Sequence, residues 1–177
     1  MKKSLLDLKV LLFLCFSLLT GKAIAQLGFC QGNSGDPIFV EDFVTGTDYG
    51  PSLALGTTTY TFVGSNNPQD GEYTIGSNTF AFGWNLPNDH TPNDIDGKAL
   101  IINASFTAGE FYSTSINGLC ENTTYEFSSW LTNILPNSGC NGNGIPVNVK
   151  FEIWDITDTN LLASGDTGDI FGSSSPN

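Results

Sequence analysis

The stretch Val147-Asn-Val-Lys-Phe-Glu-Ile-Trp-Asp155 alternates apolar side chains with mainly polar ones. Successive side chains of a β-strand point to opposite faces, so this alternation predicts a strand with one face against a core. The predicted core set is Val147, Val149, Phe151 and Ile153. The opposite set is Asn148, Lys150, Glu152 and Trp154.

Short runs rich in β-branched and aromatic residues recur along the chain between Gly, Asn, Asp and Pro clusters, and helical periodicity is nearly absent. The irregular stretches 78–97 and 133–146 are the longest. Seven or eight short strands of this kind predict an all-β fold, an antiparallel β-sandwich. The predicted strands are 38–43, 58–63, 72–75, 98–104, 110–116, 124–131, 147–156 and 161–164.

The first 25 residues have the three parts of a secretion signal. Lysines precede an apolar run at 10–19, and Ala23-Ile-Ala25 is a small-x-small cleavage site. The run is shorter than the roughly 20 residues of a membrane-spanning helix, so no membrane insertion is expected after cleavage. We therefore predict a signal peptide at 1–25, a lead-in at 26–36, a sandwich domain at 37–177, and a secreted or cell-surface location.

Charge restricts the partners of the exported part. The signal contains four of the six lysines and one of the 18 acidic residues, and the chain has no arginine, so a formal charge of −15 remains. Such a surface repels phosphate backbones and anionic lipid. Neutral polymers and divalent cations are the compatible partners, and nucleic acid is not expected.

Several motifs are similar to those of a known module. They are Gly35-Asp-Pro-Ile-Phe-Val-Glu-Asp-Phe43, Asp89-His-Thr91, Gly109-Glu-Phe-Tyr112, Gly118-Leu-Cys-Glu-Asn-Thr-Thr-Tyr-Glu-Phe127 and Leu161-Leu-Ala-Ser-Gly-Asp-Thr-Gly-Asp-Ile170. The chain resembles the N-terminal module of large secreted surface proteins of gliding bacteria, many of which carry a gliding-motility-associated C-terminal sorting domain.

That resemblance implies a jelly roll of the galactose-binding or carbohydrate-binding-module type, with two antiparallel sheets packed face to face. It also implies further strands after the Gly-Asp-Ile motif, which this sequence lacks. We therefore expect the sandwich to be incomplete at its C-terminal end and further domains of the same protein to follow.

Two predicted strands each present a tryptophan among polar side chains. In 124–131 one face carries Glu126, Ser128 and Trp130, and in 147–156 it carries Lys150, Glu152 and Trp154. Sugars pack an apolar ring face on an aromatic plane while their hydroxyls bond to neighbouring polar groups. These six residues are the candidate carbohydrate site, for a polysaccharide or cell-surface glycan. The alternative is that both tryptophans cover the sheet beneath a loop or a neighbouring domain.

Four carboxylates are candidate calcium ligands, since calcium takes about six to eight oxygens. They are Glu41, Asp42, Asp94 and Asp96. Jelly rolls of the resembled type often hold calcium near the first strand. The alternative, favoured here about two to one, is that an acidic chain scatters carboxylates over solvated turns.

Three cysteines remain after the signal: Cys30, Cys120 and Cys140. Export permits disulfides, and we predict a Cys120–Cys140 pair, with Cys30 free or paired to a cysteine further along the protein.

Catalytic signatures are lacking. No Gly-x-Ser-x-Gly motif occurs, and the only histidine, His90, lies in an Asp-rich loop. The predicted function is a non-catalytic binding or adhesion module. The alternatives are a structural spacer of a large surface adhesin and an accessory domain of a secreted polysaccharide hydrolase.

Overall fold

The computed structural model of the chain describes residues 37–79, 81–91, 93–142 and 144–173. The chain divides into two compact units. The described part of the first is residues 37–38 and 118–124, and that of the second lies within 39–117 and 125–173. All the strands described below belong to the second unit. The predicted signal and lead-in lie outside the described residues.

The first sheet has three strands, β1 (Thr61–Phe62), β2 (Glu72–Gly76) and β3 (Ala99–Asn103), in that order. β1 runs parallel to β2, and β2 runs antiparallel to β3, with Tyr73 opposite Ile102. Aromatic and β-branched side chains fit a pleated, half-buried surface, which explains why β2 and β3 form here. Both were predicted from the sequence, and both are confirmed.

The buried apolar side chains among the described residues are few, namely Tyr73, Ile75, Ile101 and Val149. Three of them belong to β2 and β3. The backbone amide of Gly50 donates to the carbonyl of Ile75 at 2.8 Å. A Cβ at position 50 would lie 2.5 Å from Cγ2 of Ile75, so this close approach requires glycine.

The second sheet is an antiparallel pair of strands, β4 (Lys150–Trp154) and β5 (Leu161–Asp166). Reciprocal backbone hydrogen bonds of 2.9 and 2.8 Å between Val147 and Ile170 continue the pairing beyond the regular strands. The predicted strand at 147–156 is therefore confirmed over its central part, and the one at 161–164 is longer than predicted.

The turn between β4 and β5 is organised by one carboxylate. Asp155 accepts hydrogen bonds from the side chain of Asn160, the backbone amide of Thr159, and both the amide and the hydroxyl of Thr157. These bonds, led by that from Asn160, hold the pKa of Asp155 well below its ordinary value. An aspartate that bonds to following backbone amides is a usual way to fix a tight turn.

The fold is all-β, as predicted, with only single helical turns at Ala81–Gly83 and Gly139–Gly142 in the described chain. Every residue of β5 is exposed, and in β4 only Phe151 is partly covered. The packing of two sheets face to face into a jelly roll remains a prediction.

Three predicted strands are wrong, since 38–43, 110–116 and 124–131 form no regular strand. In the first, local bonds compete with pairing. The amides of Phe43 and Val44 donate to the carboxylates of Glu41 and Asp42, and Phe43 and Val44 have left-handed φ values of 56° and 60°.

No helix within the described residues is long and apolar enough to cross a membrane.

Candidate functional site

The strand β4 presents Lys150, Glu152 and Trp154 on one face, as the alternation predicted. The Glu152 carboxylate contacts the Lys150 ammonium through Oε1 and accepts a hydrogen bond from Nε1 of Trp154 through Oε2, at 3.2 Å. The bond from Lys150, supported by that from Trp154, lowers the pKa of Glu152 against the opposing effect of burial. The result is an ionised carboxylate beside an indole that is 41% exposed.

The opposite face of β4 packs only in part. Val149 is buried, and the ring of Phe151 lies 5.3 Å from that of Phe127 between centroids. Ile153, predicted to be core, is 49% exposed. The sequence therefore predicted the two faces of β4 correctly, although the apolar face is covered less than expected.

Trp130 forms a second aromatic surface. It lies on a different segment from Lys150, Glu152 and Trp154, which together form the β4 row. Its indole is 78% exposed and stacks on the imidazole of His90 with ring centroids 4.0 Å apart and planes 9° apart. Glu126 and Ser128 are exposed on the same irregular segment. Because this segment is not a strand, the predicted single sheet surface shared by both tryptophans is not formed.

The stack involves the long predicted loop 78–97, whose described residues are irregular apart from the turn at Ala81–Gly83 and the bridge at Gly97. The amide of Asn85 donates to the carbonyl of Ile134 at 2.8 Å, so this loop and the chain just after Trp130 are joined at a second point. The sequence placed His90 in an Asp-rich loop and did not indicate the stack. An Asp-His-Thr triplet in a loop has no periodicity from which such a contact could be found.

The predicted calcium ligands are brought partly together. Burial, and then the negative charges of Asp89, Asp42 and Asp96, raise the pKa of Asp94 above its ordinary value. The Oδ1 atom of Asp94 is buried and accepts no hydrogen bond. The antiparallel bridge between Thr45 and Gly97 pairs the chain three residues after Asp42 with the residue that follows Asp96.

Glu41 is directed elsewhere. Its Oε1 accepts from the amide of Phe43 at 3.1 Å, and its Oε2 accepts from the hydroxyl of Tyr112 at 3.3 Å. The described residues contain no group of three or more acidic, histidine or cysteine side chains placed to hold a metal ion. The orphan oxygen of Asp94 suits a hard cation, and calcium at these carboxylates stays a prediction.

The predicted Cys120–Cys140 disulfide is wrong. Cys140 is a free thiol exposed to solvent, on a turn where its φ is 51°. Cys120 is disulfide-bonded, and Cys140 is the only other cysteine among the described residues. The sequence placed the two on either side of a strand, and that strand does not form.

No protein-family model, curated protein or solved structure matches the chain.

Proposed function

We propose that this chain is a non-catalytic, extracytoplasmic module that binds a neutral polysaccharide or cell-surface glycan. The observation that carries the proposal is the row of Lys150, Glu152 and Trp154 on an exposed strand face. It combines an exposed indole with a carboxylate and an ammonium that are already oriented by each other.

The row supplies the two kinds of contact that a pyranose ring needs. The exposed part of Trp154 offers an apolar plane for the C–H face of the ring. Glu152 offers acceptor lone pairs to hydroxyl groups, and Lys150 offers donors. Because the hydrogen bonds along β4 hold these groups in place, little side-chain entropy remains to be lost on binding.

The charge of the described residues favours an uncharged ligand. Lys98 and Lys150 are their only lysines, arginine is absent, and Lys98 is buried against Asp48. Lys150 is already neutralised by Glu152. An anionic polymer would therefore meet carboxylates with no uncompensated lysine to offset them.

Binding to insoluble neutral polysaccharides tests the proposal. The Trp154→Ala and Glu152→Gln variants should each be retained at least severalfold less than the unmodified chain. Phe106→Ala is the matched control, because it removes a fully exposed aromatic ring from another part of the second unit. Equal retention of all four proteins would contradict a site on β4.

Two alternatives from other classes remain proposals. A spacer within a large surface protein would bind nothing on a glycan array, although it would fold and melt normally. An accessory domain of a polysaccharide hydrolase would be encoded next to a catalytic domain, which the complete gene sequence would reveal. Retention on polysaccharide by the isolated chain, lost in Trp154→Ala, would rule out the spacer.

Calcium is a separate proposal for the carboxylates around Asp94. Its support is the unpartnered Oδ1 atom and the mutual repulsion that a divalent cation would relieve. Titrating calcium into chelated protein tests it by calorimetry and by the melting temperature. Heat and a raised melting temperature that are both lost in Asp94→Asn would support it, and neither effect in the unmodified chain would contradict it.

A further inference from the structure

The contact between His90 and Trp130 has the geometry of a built stack. Its rings are nearly parallel, with centroids 4.0 Å apart. The two residues are 40 positions apart in the sequence, so the contact is tertiary and not a product of local chain geometry. Trp130 is nevertheless 78% exposed, which means that the imidazole covers one side of the indole and leaves most of it accessible.

The backbone around His90 is fixed on both sides. The amide of Thr91 donates to Oδ2 of Asp89 at 2.9 Å, and the amide of Asp94 donates to the carbonyl of Thr91 at 3.3 Å. The hydrogen bond from Asn85 to Ile134 joins the same loop to the chain beyond Trp130. These bonds fix the backbone that carries His90, and the imidazole stacks on the indole from that side.

We infer that His90 is a positioning residue for Trp130, holding the indole so that its uncovered face can stack on a pyranose ring of a neutral polysaccharide. This inference rests on the proposed function and adds Trp130 to it as a second, independently built aromatic plane. An exposed tryptophan samples several rotamers, and fixing it before binding lowers the entropy lost when a ligand arrives. A plane covered on one side takes a ring from the other side only.

The stack can be observed without a ligand, because His90 is the only histidine in the chain. Its imidazole C–H protons give the only histidine signals in a proton NMR spectrum, and protons lying over an indole face are shifted upfield by its ring current. We expect shifted signals in the unmodified chain that return to ordinary positions in Trp130→Ala. Trp154→Ala is the control and should leave them shifted. Unshifted signals in the unmodified chain would overturn the inference.

Binding measurements then distinguish a positioning role of His90 from a role in packing alone. His90→Ala should weaken retention on neutral polysaccharide by about two- to tenfold, the range expected for loss of one aromatic stack. His90→Phe keeps a flat ring at this position and should restore binding to within about twofold. Unchanged binding in His90→Ala, or tighter binding, would overturn the inference while leaving the proposed function intact.

Failure of the proposed function and failure of the role inferred for His90 would give different experimental results. If the unmodified chain is retained on no polysaccharide, the proposed function fails and the positioning role fails with it, even where the histidine signals show the stack. If the unmodified chain is retained and only Trp154→Ala reduces retention, the β4 row is the site and the role inferred for His90 is wrong.

Discussion

The ammonium of Lys98 lies 3.2 Å from Oδ1 of Asp48, and this pair joins a lysine that is 4% exposed to a carboxylate that is 86% exposed. The backbone amide of Lys98 also donates to the carbonyl of Val44, so the lysine is fixed at the start of β3. A buried ammonium is costly unless it is paired. Asp48 is thus a surface residue with a structural role.

Replacing Asp48 should lower the melting temperature by an amount that depends on pH. The pKa of Asp48 lies below its ordinary value of 3.8, and the hydrogen bond from Lys98 is the largest cause. A lowered pKa in the folded state means that the carboxylate stabilises the fold above pH 3.8 and that this contribution is lost as the pH falls further. Asp48→Asn should therefore melt at a lower temperature than the unmodified chain at pH 7, and the difference should shrink below pH 4.

The control for that measurement is Asp70→Asn, which removes the same charge from an exposed turn. It should melt within a degree or two of the unmodified chain at both pH values, as surface substitutions away from special features usually do. Equal melting of the Asp48 and Asp70 variants at pH 7 would show that the pair with Lys98 contributes nothing.

The small core makes individual apolar side chains important. Ile101 is 2% exposed on β3 and is among the largest fully buried side chains in the described residues. Ile101→Ala should lower the free energy of unfolding by about 2–5 kcal/mol, the usual cost of a buried isoleucine-to-alanine change. Leu55→Ala, at a fully exposed position, should change it by no more than about 0.5 kcal/mol. Chemical denaturation measures both, and similar losses would mean that Ile101 is not core.

In the turn between β4 and β5, replacing Asp155 with asparagine tests the hydrogen bonds that its carboxylate accepts. Asp155→Asn keeps the size of the side chain but removes the charge that accepts bonds from Thr157, Thr159 and Asn160. Because the pKa of Asp155 is held well below its ordinary value of 3.8, the stabilisation is present at neutral pH and lost in strong acid. Amide exchange in β4 and β5 should accelerate in the variant at pH 7. The exchange of β2 and β3 serves as the internal control, and uniform acceleration would argue against a local role.

The sequence predicted the side-chain faces of β4, which follow from local alternation. It did not predict the contacts that depend on residues distant in the sequence. Lys150, Glu152 and Trp154 share a face because side chains two apart in any strand do. The segment 124–131 alternates in a similar way, yet it is irregular, because a strand also needs a neighbour to pair with. The stack of His90 on Trp130 joins two irregular segments, and no periodicity in either one indicates it.

Asp94 should oppose folding when it is charged. Burial, and then repulsion from Asp89, Asp42 and Asp96, raises its pKa above the ordinary value of 3.8, so the folded chain favours the protonated form. Its ionisation therefore destabilises the fold as the pH rises through the folded pKa. Asp94→Asn should melt at a higher temperature than the unmodified chain at pH 7 in chelator, with the gain disappearing below pH 3.8. Asp169→Asn, at an exposed position, is the charge-matched control, and a lower melting temperature for Asp94→Asn would contradict the prediction.

The two described cysteines should differ sharply in reactivity. Cys140 is a free, exposed thiol, so iodoacetamide should label it in the folded protein without reduction. Cys120 is disulfide-bonded and should be labelled only after reduction. We predict that peptide mapping of the unreduced protein finds Cys120 in a disulfide that does not include Cys140. A peptide joining Cys120 to Cys140, or labelling of Cys120 before reduction, would contradict this prediction, and Cys140→Ser should leave the Cys120 linkage unchanged.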